Sequence, residues 1–185
     1  MGKSSFREFV EREKKIDLQV KEVNWEEKKQ LYLSRVDDLY KNIEAFLREF
    51  IESKAVRIER NAVNIDEEYI GEYDVPVLDI YLYNKHAALI PAGTNMIGSP
   101  GRVDLVCDYD VRRIILADKN EDKPQIFRAI SHTEEEKEQA KKRGEEWIRR
   151  KRDYVWKFIT DPPEIRYIDL TEDSFFNSLQ EVLGG

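Results

Sequence analysis

Few residues in this chain can do acid–base or nucleophilic chemistry. There are two histidines, His86 and His132, and one cysteine, Cys107, in 185 residues. Neither histidine lies at a zinc-ligand spacing, so no metal is expected. A nucleophile–base pair would require Cys107 and His86 to meet in space, with Asp104 as the third group, and spacing alone leaves that convergence open. Cys107 closes the apolar run VDLVC, where a buried, inert thiol is the expected state. His86 follows a turn at Asn84-Lys85 and reads as a half-exposed structural histidine. His132 immediately precedes the helix-capping Thr133.

The carboxylates give no clearer pair. Thirty-eight acidic residues place Asp74 with Asp79, and Glu67 with Glu68, near one another by chance, so no glycosidase pair stands out. Asp104 and the later Asp118-Lys119 invite comparison with nucleases of the PD-(D/E)XK type. Those need a carboxylate two positions before the lysine, on the same strand face. Here that position is Ala117, so Asp104 and Asp118 read as solvent-facing or arginine-paired.

Two segments have a composition suited to binding. Pro91 to Arg102 (PAGTNMIGSPGR) holds three glycines and two prolines in twelve residues, which calls for positive φ or close backbone approach. Amides and side chains of Gly93, Thr94, Gly98, Ser99, Gly101 and Arg102 are the candidate grip for a phosphate or carboxylate. The segment lacks the Gly-Lys-Ser/Thr of a P-loop, and a strand rather than a helix follows it, unlike a dinucleotide fingerprint. The second segment is the basic cluster Lys141, Lys142, Arg143, Arg149, Arg150, Lys151 and Arg152, with Trp147, Tyr154 and Trp156 nearby. It is the candidate nucleic-acid surface. Glu145 and Glu146 interrupt it, and i,i+4 pairs such as Glu138 with Lys142 favour a self-paired solvated helix.

The elements that must position these residues follow from periodicity. Ser4 or Ser5 caps a helix to about Val20. The spacing of Val36, Leu39, Tyr40, Ile43, Phe46, Leu47, Phe50 and Ile51 predicts a second helix over 25–53, opened by Asn24 and Glu27 as a capping box. From Ala55 the period becomes two, and strands are expected at Val56–Ile58, Val63–Ile65, Val77–Tyr83, His86–Ile90, Arg102–Cys107 and Val111–Ala117. Their short gaps permit only antiparallel pairing. Thr133 and Glu136 open a charged helix over 133–152. Strands at Tyr154–Thr160 and Ile165–Leu170 flank an Asp161-Pro162-Pro163 turn. Thr171 caps a last helix, with a Leu170 to Phe175 staple and a stop at Gly184. The Gly184-Gly185 tail resembles that of ubiquitin-like modifiers, but it serves equally as a helix stop.

Net charge is −7 and pI about 5.1, which opposes non-specific attraction to nucleic acid or anionic membranes. The opening MGKSSF superficially fits an N-myristoylation pattern. With a lone cysteine and no apolar leader, the chain reads as cytoplasmic.

The segments LIPAGTNMIGSPGRVDLV and YIDLTEDSFFNSLQEV resemble recurring blocks of a family of uncharacterised small bacterial proteins. The resemblance implies a bacterial origin and no assigned activity.

The sequence thus predicts a single α+β domain over 1–185. Its antiparallel, curved sheet of six or seven strands is covered on one face by the second and last helices, with the 1–22 and 133–152 helices outside. The function expected is a non-enzymatic protein-interaction module, of accessory, immunity or antitoxin type, without a cofactor. The alternatives are an anionic-ligand or enzymatic domain using the Gly93–Arg102 loop, and nucleic-acid binding through Lys141–Arg152.

Overall fold

The computed structural model describes residues 5–12, 14, 24–94, 99–108, 110–124 and 153–184. Residues 5–12 are helical, with Phe6, Phe9 and Val10 all exposed. The main helix, α1, spans Trp25–Phe46 and buries Tyr32, Val36, Leu39, Tyr40 and Ile43, the stripe that steps of three and four prescribe. Asn24 accepts a hydrogen bond from the Glu27 amide at 3.0 Å, and Glu26 and Glu27 sit where the helix dipole favours negative charge. A five-residue helix, α2, follows at Arg48–Glu52. The expected 25–53 helix therefore relaxes at Leu47 (ψ −3°), although the Leu47 and Ile51 amides still donate four residues back, at 3.0 Å each.

Among the described residues, seven strands pair strictly with their sequence neighbours, all antiparallel, in one open, curved sheet. They are β1 Val56–Glu67, β2 Gly71–Leu82, β3 Lys85–Gly93, β4 Arg102–Cys107, β5 Asp110–Asp118, β6 Tyr154–Ile159 and β7 Tyr167–Asp169. The last helix, α3 Glu172–Val182, contacts β4, β5 and α1. The helix-side core includes Leu78 and Ile80 of β2, Leu89 of β3, Val103 and Leu105 of β4, Ile114 and Leu116 of β5, and Trp156 and Phe158 of β6. Each such side chain contributes roughly 1.5–3 kcal/mol of burial.

Several boundaries differ from expectation: β7 is shorter than the expected Ile165–Leu170, β3 runs on to Gly93 beyond the expected His86–Ile90, and two differences concern β2. The β1–β2 hairpin runs unbroken from Val56↔Leu82 to Glu67↔Gly71, so strand extends to Glu67 and resumes at Gly71 through Pro76, where acidic residues and Pro76 depress β propensity. The inward-facing set changes parity along it: Ile58 and Ile80 pack on the core, and further out Val63, Ile65, Tyr73 and Val75 do so. The hairpin thus turns its other face to the core beyond Pro76. The β2–β3 turn lies at Tyr83-Asn84, not Asn84-Lys85, because Tyr83 adopts φ +53°. A left-handed tyrosine is rare and has no sequence signature.

Two tyrosines of α1 complete the sheet where its ladders open. Pairing of β2 with β3 stops at Leu78↔Leu89, and the Tyr40 hydroxyl lies 2.8 Å from the Pro76 carbonyl and 2.9 Å from that of Leu89. Pairing of β3 with β4 slips between Pro91 and Gly93, where the Tyr32 hydroxyl donates to the Arg102 carbonyl at 2.7 Å and accepts from the Gly93 amide at 3.1 Å. Buried backbone groups must be paired, and here side chains supply the partners.

Burial raises the proton affinity of both phenols. The folded state therefore keeps two protons that the unfolded chain releases above about pH 10. Their contribution is intact below that pH and falls above it, by about 1.4 kcal/mol per pH unit for each tyrosine. Urea midpoints measured across this range should drop steeply above about pH 10, and Tyr40→Phe should remove one proton from the slope. A midpoint indifferent to alkali would contradict the buried-hydroxyl account.

Candidate functional site

The Gly93–Arg102 loop is held from below by a buried carboxylate that sequence reasoning had passed over. Glu67, at the end of β1, is 8% exposed. It accepts hydrogen bonds from the Tyr73 hydroxyl, and from the Thr94 amide and Thr94 hydroxyl at 2.9 Å each. Burial first, and then this carboxylate, raise the proton affinity of the Tyr73 phenol. Lys28 also faces Glu67: burial lowers its proton affinity, and the carboxylate acts in the opposite direction. Gly93 has φ +96°, and a Cβ there would stand 2.9 Å from the Glu67 carboxyl carbon. Both reasons anticipated for glycine apply at this one residue.

The other loop groups are spent in the same way. The Ser99 hydroxyl lies 2.8 Å from the Gly101 and Leu116 carbonyls, and a Cβ on Gly101 would stand 2.6 Å from the Tyr32 ring. Arg102 forms a two-point pair with Asp104, at 2.8 and 2.6 Å. Thr94, Ser99 and Arg102, the expected anion grip, thus fasten the chain to itself. Gly98 lies outside the described residues, as do His132 and the basic set Lys141, Lys142, Arg149, Arg150 and Arg152.

Cys107, His86 and Asp104 do not converge. Cys107 and Asp104 alternate to opposite faces of β4, and Cys107 packs against the core. His86 stands on the sheet face turned away from α1, opposite Tyr81, while Asp104 pairs with Ile90, four residues along β3. His86 has its own partner, since Nε2 lies 2.7 Å from Asp79, which also accepts from Asn61 at 2.7 Å. The imidazole stacks on Tyr81 (4.6 Å between centroids), and Arg57 covers that tyrosine at 4.0 Å. The half-exposed structural reading of His86 describes this arrangement. Asp74 accepts from Asn64 at 3.0 Å. Asp104 is arginine-paired as anticipated, but Asp118 is not solvent-facing and has no arginine partner among the described residues. It is 2% exposed and accepts from the Asn120 amide at 3.0 Å, because it closes the turn leaving β5. Among the described residues, no three His, Cys, Asp or Glu side chains gather to hold a metal. No described helix is long and apolar enough to cross a membrane.

An open groove of about 380 Å³ lies between α3 and strands β5 to β7. Phe158 and Ile168 supply apolar lining, and Ile168 is 47% exposed. Ser174, Asn177, Ser178 and Glu181 line it at helical spacing from α3. Ser174 is occupied by the cap of its own helix, bonding Thr171 and the Asp169 carbonyl. The Asn177 amide and Ser178 hydroxyl have no partner among the described residues. Three ion pairs border the groove: Arg112 with Glu181 (3.2 Å), Arg112 with Asp110 (2.7 Å), and Arg113 with Asp161 (2.7 Å). Burial lowers the proton affinity of Arg112, and these carboxylates more than offset it.

No family model matches the chain, and neither the curated proteins nor the solved structures give a match.

Glu67→Ala leaves three donors without their acceptor and should lower stability by roughly 2–4 kcal/mol. Gly101→Ala should cost roughly 1–3 kcal/mol through the Tyr32 contact. Urea denaturation measures both; if both midpoints match wild type, the loop is not held in this way.

Proposed function

We propose that this chain is a protein-interaction module that takes an extended segment of a partner protein into the groove between α3 and β5–β7. The observation that carries the reading is the pairing of exposed Ile168 with the unsatisfied Asn177 amide on the facing helix. An apolar contact beside a free carboxamide suits a peptide: the amide side chain can donate to and accept from a main chain while an apolar side chain covers Ile168 and Phe158. The bordering ion pairs, being solvent-exposed, add orientation more than affinity. The Gly93–Arg102 loop, with its described polar groups spent internally, acts in this reading as a brace for the sheet. The sequence resemblance favours a bacterial origin, while the accessory, immunity or antitoxin-like class rests on small size, acidic charge and the lack of a recognisable catalytic set.

The test is affinity capture from the source cell with wild-type protein, Ile168→Asp and Asn177→Arg, and with Arg57→Gln on the sheet face turned away from α1 as control. The same partner should be retained by wild type and control and be lost, or weakened at least about tenfold, by both groove variants. A synthetic peptide from that partner should then compete. Retention by all four proteins would sink the groove as the recognition surface.

A further inference from the structure

A second groove, sharing no lining residue with the first, runs between α1 and the β6 end of the sheet and encloses about 440 Å³. One wall is the α1 face carrying Arg35, Asp38, Lys41 and Asn42; the other holds Tyr154, Val155, Trp156 and Leu170. The two walls are tied at one point, where the Trp156 indole N–H donates to the Arg35 carbonyl at 2.9 Å. That bond uses only the backbone of Arg35. Arg35 is half-buried as a residue; its guanidinium makes no hydrogen bond or ion pair among the described residues, and neither does the carboxylate of exposed Asp38. Lys41 is different, since it pairs with Asp37 at 2.7 Å. One cation and one anion, neither in a hydrogen bond or ion pair among the described residues, therefore stand three residues apart on one helix, about 4.5 Å along its axis, with Asp38 also acting through its charge on Lys41. They line the same groove without neutralising each other, although opposite charges at this spacing commonly pair.

A simple anion would meet Asp38, and a simple cation would meet Arg35, so each is opposed by one of the two. A ligand carrying both charges within one short backbone satisfies both. A peptide terminus offers only one of them. The opposite wall, with Leu170, Val155 and the edge of Trp156, asks for an apolar group, and the volume is within the usual range of small-molecule sites of about 300–1,000 Å³.

We propose that this groove binds a free α-amino acid with an apolar side chain, its carboxylate on Arg35, its ammonium on Asp38 and its side chain against Trp156 and Leu170. Arg35 gives a planar, two-point match to the carboxylate, and Asn42 adds a neutral hydrogen-bonding group at the same wall. The site is independent of the peptide groove, so either can fail alone.

Isothermal titration of the full chain with L-leucine and L-phenylalanine tests it, with N-acetyl-L-leucine (no ammonium) and 3-methylbutylamine (no carboxylate) as paired probes. At least one amino acid should bind saturably at one site, and each truncated probe should bind about tenfold or more weakly. Arg35→Gln and Asp38→Asn should each weaken amino-acid binding by a similar factor while melting as wild type does. Asp38 is exposed, so its variant keeps the test valid if Arg35→Gln is unstable. The proposal is overturned if neither amino acid binds up to ~10 mM, if N-acetyl-L-leucine binds as well as leucine, or if Asp38→Asn leaves affinity unchanged.

Discussion

Tyr32 and Tyr40 stand two turns apart on α1 and deliver hydroxyls to the two places where neighbouring strands part, β3 from β4 and β2 from β3. Strand divergence inside a core exposes carbonyls and amides that water cannot reach, at roughly 1–3 kcal/mol for each unpaired group. A curved sheet of neighbour-paired strands can part in this way only if something else fills the ladder. The phenols do so while their rings join the hydrophobic core. α1, the start of the Gly93 loop and the stretch at Pro76 all meet at these contacts.

The loop below Tyr32 extends the same solution with a charge. Glu67 is tolerated in a nearly dry setting because hydrogen bonds from Tyr73 and Thr94 replace its hydration. Gly93 leaves the space the carboxyl group fills, and Gly101 leaves the space the Tyr32 ring fills. A composition suggestive of phosphate binding is thus explained by close packing around one carboxylate and one phenol. Glycine enrichment reports tight approach, and it does not say what is approached.

Much of the architecture was legible in the residues. The α1 stripe, β4, β6 and the Thr171 cap with its Gly184 stop follow from local periodicity and capping chemistry, and Gly184 has the φ of +77° that such a stop requires. Glu67 was missed because Glu67-Glu68 looked like an ordinary acidic pair. The available signal was that Glu67 continues the inward parity of Val63 and Ile65, which marks it as facing the core. Asp118 was misjudged because its turn, closed by Asn120, sets its direction more than its strand does. The two grooves were not legible at all. Phe158, Ile168 and Asn177 lie on three separate elements, and Arg35 meets Trp156 across 121 positions, so no spacing rule joins them.

The strictly sequential order of the seven strands also bears on how the chain reaches this structure. Each strand can add to the one just made, so most pairing closes only a short stretch of chain, and the loop-closure penalty stays small at every step. The widest span among the described hydrogen bonds is the clasp between Arg35 on α1 and Trp156 on β6, which draws together distant parts of the polypeptide. Assembly can therefore progress from hairpin to hairpin, with the slow, entropically demanding event reserved for docking β6 beneath the first long helix.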